Sequence, residues 1–312
     1  MKVTVVGAGN VGATCAQAIA EKGIVSEVIL LDIKEGLAEG KSLDLWQTAP
    51  INYYDTRITG VTNDYSKTAG SEVVVITSGM PRKPGMSRDD LISINASIVK
   101  TVTENVVEYS PKAKIIIVSN PLDVMSYCAF LAAKKSKNEV FGMAGILDTA
   151  RYRAFIAEAL DVNPKDIQAL LMGGHGDTMV PLPRYTTVSG IPVTELIDEE
   201  KLNSIIERTK VGGGELVKLL GTSAWYAPGS AAAQMVEAIV MDQKRIFPVC
   251  AYLEGEYGLN NLYVGVPVKL GKNGIEQIIE VKLNDEEKAM LDSSASSVKE
   301  VMDVLDSMKL FS

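Results

Sequence analysis

Apolar residues along this chain follow two rhythms, and the change between them falls near the middle. Up to about residue 145, short runs of Val, Ile and Leu alternate with segments in which apolar residues recur every three or four positions. The runs Lys2–Val6, Glu27–Leu31, Glu72–Thr77, Lys114–Ser119 and Glu139–Met143 predict parallel strands buried on both faces, since a continuous β-branched run keeps no polar side for water. Asp89–Tyr109 is the clearest helix between them. Leu91, Ile94, Ile98, Val102, Val106 and Tyr109 form one stripe, and Ser87 followed by Asp90 is placed to cap its start. Such alternation predicts a doubly wound α/β sheet.

Past residue 145 the order is different. An apolar stretch, Ile167–Met172, is followed by helical patterns over Glu199–Gly221 and Ser230–Gln243. Strand-like runs then cover Phe247–Leu253, Tyr263–Leu270 and Ile275–Lys282, the last two joined by the hairpin sequence Gly271-Lys272-Asn273-Gly274. A final helix opens at Asn284 with Glu287 three residues on, the spacing of a capping box, and presents Leu291, Val298, Met302, Leu305 and Met308 on one side. The expected organisation is an α/β domain over residues 1–145 and a mixed α+β domain over 146–312.

Composition narrows the function. The chain has 312 residues, 46% hydrophobic and 22% charged, as in an ordinary globular protein of about two domains. A net charge of −8 argues against nucleic acid or an anionic membrane as the main partner. Cys15, Cys128 and Cys250 are odd in number and lack metal-ligand spacing, which predicts a reduced, cytoplasmic compartment and no metal. No apolar run reaches the roughly 18 residues of a membrane span, and the opening Met1–Val6 reads as a strand rather than a signal peptide.

The first strand runs into Gly7-Ala8-Gly9-Asn10-Val11-Gly12, a G-x-G-x-x-G that opens a helix. Gly7 permits a tight turn, Gly9 lets a pyrophosphate approach the backbone, and Gly12 lets the helix lie close to the sheet. Free N–H groups at the helix start then attract phosphate. Asp32 closes the second strand, where its carboxylate would accept from ribose hydroxyls and repel a 2′-phosphate. Together these predict a Rossmann-type dinucleotide site that takes NAD in preference to NADP, with Lys34 the one nearby residue pointing the other way.

Ligands of open α/β sheets bind beyond the carboxyl ends of the strands. Polar residues gather just past those ends: Arg82, Lys83 and Arg88 in and after a Pro- and Gly-rich loop, Asn120-Pro121-Leu122-Asp123, and Asp148 with Arg151 at a helix start. His175, the only histidine, follows Ile167–Met172 inside Gly173-Gly174-His175-Gly176-Asp177. It is the one side chain able to exchange protons near neutral pH without a large pKa shift. Each residue has a plainer role open to it. Asp148 could cap a helix with Arg151 as its surface partner, Asn120 could start a turn, the basic loop residues could be solvated, and Asp177 could bind turn amides. A non-catalytic NAD-binding module would need only the glycine loop and Asp32. An NAD-dependent glycosidase would need Cys and His metal ligands, for which Cys128 and His175 lack the pattern.

Taken in order, Gly7–Gly12 with Asp32, Pro81-Arg82-Lys83-Pro84-Gly85 with Arg88, Asn120–Asp123, Leu147-Asp148 with Arg151, and Gly174–Asp177 resemble the malate dehydrogenases of the lactate-dehydrogenase-like branch, nearly end to end. The resemblance implies a Rossmann-type sheet followed by a mixed α+β substrate domain. It implies reversible hydride transfer between malate and NAD, with His175 as general acid and base and Asp148 fixing its tautomer. Arg151 would hold the substrate's C1 carboxylate, Arg88 would polarise the carbonyl, and Asn120 would orient substrate and cofactor. Gly7, Gly9, Asn10, Val11, Gly12, Asp32, Ser78, Gly79, Asn95, Val118 and Asn120 would contact the cofactor. Arg82 would choose a dicarboxylate (malate or oxaloacetate) over lactate or pyruvate, the alternative substrate pair. A cytoplasmic homo-oligomer, a tetramer ahead of a dimer, and a place in the tricarboxylic acid cycle complete what is implied.

Overall fold

The computed structural model describes residues 1–80 and 88–311, apart from the side chain of Arg88. Its first half runs β1 (Lys2–Val6), α1 (Asn10–Glu21), β2 (Glu27–Asp32), α2 (Leu37–Gln47), α3 (Ala49–Asn52), β3 (Arg57–Thr62), β4 (Val73–Ile76), α4 (Arg88–Tyr109), β5 (Lys114–Ile117), α5 (Leu122–Ala133) and β6 (Val140–Gly142). These six strands are parallel in the order β3-β2-β1-β4-β5-β6. The order reverses between β1 and β4, so a crevice opens there beyond the strands' carboxyl ends. Val3, Val5, Val73–Ile76 and Ile115–Ile117 are all essentially inaccessible, as continuous Val/Ile runs require.

The second half runs α6 (Ala144–Leu160), β7 (Ile167–Gln168), β8 (Leu171–Met172), β9 (Val180–Pro181), β10 (Thr187–Val188), β11 (Ile191–Pro192), α7 (Val193–Leu196), α8 (Glu199–Leu220), α9 (Tyr226–Val240), β12 (Arg245–Glu254), β13 (Asn260–Gly271), β14 (Gly274–Ile278) and α10 (Asp285–Ser307). Strands β12–β14 do not form a sheet of their own. They continue the parallel sheet, antiparallel, through the single pair Cys250↔Gly142, and the largest apolar core spans both halves. A smaller core (Tyr152, Ile156, Ile167, Leu202 and Ile205 among its members) lies beneath α6 and α8.

Several local expectations hold. The β13–β14 hairpin turns at Lys272-Asn273 between the paired Gly271 and Gly274, and Asn284 with Glu287 forms the capping box of α10 at 2.8 and 2.9 Å. Others are corrected. Strand β3 carries no long apolar run because Gly60 lies under α2; a Cβ there would sit 2.3 Å from the Ala38 backbone. The stretch Ile167–Met172 is divided, since β7 pairs with β10 and β8 with β9. The strand expected over Ile275–Lys282 stops at Ile278, where the Tyr257 hydroxyl donates to the Ile279 carbonyl and accepts from the Val281 N–H. Helix α9 starts at Tyr226 rather than Ser230, with Pro228 in its first turn, where a missing N–H costs nothing. The buried side of α4 is Ile92, Asn95, Ala96, Val99, Val102 and Val106; Leu91, Ile94 and Ile98 are half-buried and Tyr109 is exposed. The proposed cap Ser87 lies outside the described residues.

Candidate active site

At the crevice the glycine loop has one available shape. Gly7 has φ +103°, and a Cβ on it would meet Thr77 Oγ1 at 2.6 Å; a Cβ on Gly12 would lie 1.8 Å from the Gly7 carbonyl oxygen. Gly9 faces open space instead, which leaves the start of α1 bare for a phosphate. Asp32 Oδ2 accepts the Ala8 N–H at 2.7 Å and Oδ1 accepts the Lys34 N–H at 2.9 Å, so the carboxylate is fixed at the end of β2 with lone pairs to spare. Gly7, Gly9, Asp32, Ser78 and Gly79 line a cleft of roughly 330 Å³. Asn10 follows at the helix start, its Oδ1 3.3 Å from Lys41 Nζ. A bare helix start beside a fixed carboxylate fits the adenosine and phosphates of NAD.

A second cleft, of roughly 320 Å³, includes Val11 and Val118, Asn120, Arg151 and His175. His175 Nδ1 lies 2.8 Å from Asp148 Oδ2, and Arg151 Nη1 donates to Asp148 Oδ1 at 3.0 Å. The Asp148 side chain is 3% accessible, against 21% for His175 and 14% for Arg151. A buried carboxylate thus has a partner at each oxygen, while among the described residues nothing bonds His175 Nε2. Burial lowers the affinity of the imidazole for a proton, but the Asp148 charge and hydrogen bond outweigh it, with Asp123 adding to them and Arg151 opposing. The net pKa is raised above 6.5. Asp148 does not cap its helix: α6 begins at Ala144, so Asp148 and Arg151 lie a turn inside it, on one face.

The backbone entering His175 is held at each step. Gly173 exchanges N–H···O bonds with Gly265 of β13 at 2.9 and 3.0 Å, the Gly174 N–H donates to Ser294 Oγ of α10 at 2.8 Å, and the His175 N–H donates to Asp123 Oδ2 of α5 at 3.0 Å. Gly173 and Gly174 permit close packing. A Cβ on Gly174 would lie 2.8 Å from Val298 Cγ2.

The structure therefore gathers His175, Asp148, Arg151, Asn120, Val11 and Val118 round one cleft, and Gly7, Gly9, Asp32, Ser78 and Gly79 round the other. Asn95 lines neither. It is 2% exposed, and its amide is committed to Met80 N–H (2.7 Å), Met80 O (3.1 Å) and Asn120 O (2.7 Å), tying the ends of two loops together. Asp177 is exposed. Arg82 and Lys83 lie outside the described residues, and Arg88 is the first residue of α4. Sequence reasoning missed the far wall, formed by Lys210, Gly213, Gly214 and Val217 on one face of α8 and by Ser223 and Ala224. A signal existed. Three successive helical glycines, Gly212–Gly214, cost about 1 kcal/mol each relative to Ala unless something must come near. Arg151 does, with its Cδ 3.4 Å from a Cβ on Gly212.

Residues 1–142 match the lactate/malate dehydrogenase NAD binding domain, and residues 146–308 match the lactate/malate dehydrogenase alpha/beta C-terminal domain. The chain is 72% identical to a malate dehydrogenase of Cytophaga hutchinsonii over 308 residues, 99% of each chain. It superimposes on the structure of the malate dehydrogenase from Salinibacter ruber with a TM-score of 0.95 and 57% identity over 99% of both chains. A lactate dehydrogenase from Cryptosporidium parvum, complexed with lactic acid and its cofactor, is nearly as similar in backbone, with a TM-score of 0.93, but 37% identical over 98% of each chain. On two domain matches that together cover almost the whole sequence, the chain belongs to the lactate/malate dehydrogenase family.

Proposed function

We propose that this chain is an NAD-dependent malate dehydrogenase that interconverts (S)-malate and oxaloacetate. The observation that carries the reading is the His175–Asp148–Arg151 chain at 2.8 and 3.0 Å, set in a cleft beside the dinucleotide loop. NAD supplies the hydride acceptor for oxidation and the hydride donor for reduction. Asp148 keeps the His175 proton on Nδ1, which leaves the Nε2 lone pair to take the proton of the substrate hydroxyl. In reduction the imidazolium returns that proton from Nε2, its charge stabilised by Asp148. Arg151 pairs the C1 carboxylate through its planar guanidinium, a geometry lysine does not offer. Asn120 orients the ligand by hydrogen bonding, Arg88 polarises the reacting carbonyl, and Arg82 pairs the distal carboxylate. Residues 1–145 then serve as the cofactor domain and 146–312 as the substrate domain.

Steady-state rates with oxaloacetate and with pyruvate at matched NADH test this. The expected kcat/KM is far higher for oxaloacetate; a higher value for pyruvate would overturn the malate assignment. The pH dependence follows from the raised pKa of His175. Oxidation needs the neutral imidazole, so kcat/KM for malate should rise with pH and reach half its plateau above pH 6.5. Reduction needs the imidazolium, so kcat/KM for oxaloacetate should fall through the same window. The two limbs, measured on one preparation, should cross.

The same reading includes a cytoplasmic homotetramer, with a dimer second, acting in the tricarboxylic acid cycle. Three buried cysteines without disulfides fit a reducing compartment. Leu219 and Leu220 on α8 and Leu43 on α2, exposed and apolar, fit self-association. No helix among the described residues is long and apolar enough to cross a membrane.

A further inference from the structure

Asp123 has no part in the chemistry described so far, yet it is the second carboxylate bonded to the catalytic loop. It lies on the first turn of α5 and is 8% exposed. Its Oδ2 accepts the His175 N–H at 3.0 Å, and its Oδ1 accepts the Cys250 thiol at 3.1 Å. Both oxygens therefore face donors, the arrangement of an ionised carboxylate. The start of α5 adds the partial positive charge of its free N–H groups. Burial is the largest influence and, with the Asp148 charge, raises the Asp123 pKa above the ordinary carboxylate value, although the Cys250 thiol and the His175 N–H and charge pull it down.

Three successive N–H groups at Gly173, Gly174 and His175 are anchored, and the first two anchors are a neutral carbonyl and a neutral hydroxyl. Only the residue that carries the imidazole is anchored by a charge. If its N–H merely needed an acceptor, a neutral oxygen would have served there too, without the cost of burying an ion. We propose that Asp123 is a positioning residue for the reaction. Its carboxylate fixes the His175 backbone and, when ionised, sets a negative charge beside that residue which favours the protonated imidazole. This rests on the dehydrogenase reading above.

Among the described residues, the groups facing His175 are few. Asp148 and Arg151 come from α6, Asp123 from α5, and Asp177 from its own loop. Lys210 of α8 lies across the cleft, and Glu300 of α10 lines the adjoining cavity. Cys250 of β12 sits behind Asp123, its thiol kept protonated by burial. Removing the Asp123 charge should lower the His175 pKa. The rising limb for malate and the falling limb for oxaloacetate should then both move to lower pH.

The lone histidine makes the test direct, because its imidazole resonance in untagged protein needs no assignment among others. NMR titration of the wild type, Asp123→Asn and Ser294→Ala is the experiment, with pH profiles of kcat/KM alongside. In Asp123→Asn, which keeps shape and an acceptor, the midpoint should fall by roughly half a pH unit or more, the scale of a charge a few ångströms away. Ser294→Ala releases the neighbouring Gly174 N–H without altering a charge and should leave the midpoint where it is. An unmoved midpoint in Asp123→Asn, or an equal shift in Ser294→Ala, overturns the proposal. If the Asn variant does not fold, Asp123→Ser, also neutral, takes its place under the same criteria. Should the wild type fail to reduce oxaloacetate, the dehydrogenase reading falls while the titration still decides the electrostatic role of Asp123.

Discussion

Substituting His175 by Asn should lower turnover by about 10²–10⁴-fold, the usual worth of a positioned proton-transfer group. The loss should be specific to chemistry. The Asn amide can still donate toward Asp148, whose other oxygen stays paired with Arg151 at 3.0 Å, so no buried carboxylate is left bare. Cofactor binding should persist as well, because Gly7, Gly9 and Asp32 line a separate cleft. NADH fluorescence titration measures the second point and stopped-flow or steady-state rates the first. Near-normal turnover in the variant would remove the acid–base role from His175, and lost NADH binding would show that the substitution did more than delete a proton acceptor.

The second large effect belongs to Arg82, which lies outside the described residues and whose case is chemical. A dicarboxylate in a water-poor site brings a distal charge, and an unpaired buried charge costs several kcal/mol. Glutamine in place of Arg82 should strand that charge and welcome the methyl of pyruvate. The ratio of kcat/KM for oxaloacetate to that for pyruvate should fall by orders of magnitude in Arg82→Gln, since a polar mismatch discriminates far more strongly than a methylene. Both substrates must be measured on the same variant, so that a general loss of activity cancels. An unchanged ratio would take substrate choice away from Arg82.

Legible in the sequence was whatever depends on neighbours along the chain. Continuous Val/Ile runs gave buried parallel strands, Asn284 with Glu287 gave a helix start, and Gly7–Gly12 with Asp32 gave a dinucleotide loop. Placing Asp148 and Arg151 near His175 was within reach because each follows a strand end, although their helix starts a turn earlier than its composition suggests. What could not be read depends on partners far along the chain. β3 is hidden by Gly60, whose missing side chain answers to α2. The continuation of the sheet hangs on Cys250↔Gly142, two residues with nothing in common locally. Asn95 looks like a polar break in an apolar stripe until its amide is seen joining Met80 to Asn120. Asp123 stood in a recognised motif, but its bond to His175 spans 52 residues.

The anchoring of Gly174 by Ser294 also orders events in time. Residues 1–142, which contain the whole dinucleotide loop and Asp32, emerge from the ribosome long before α10 (Asp285–Ser307), the element that carries Ser294. A growing chain halted before Asn284 would contain the glycine loop, Asp32 and the imidazole but not the hydroxyl that accepts the Gly174 N–H beside that imidazole. The support of the His175 loop is thus completed by a residue near the end of the chain, long after the glycine loop and Asp32 have been translated.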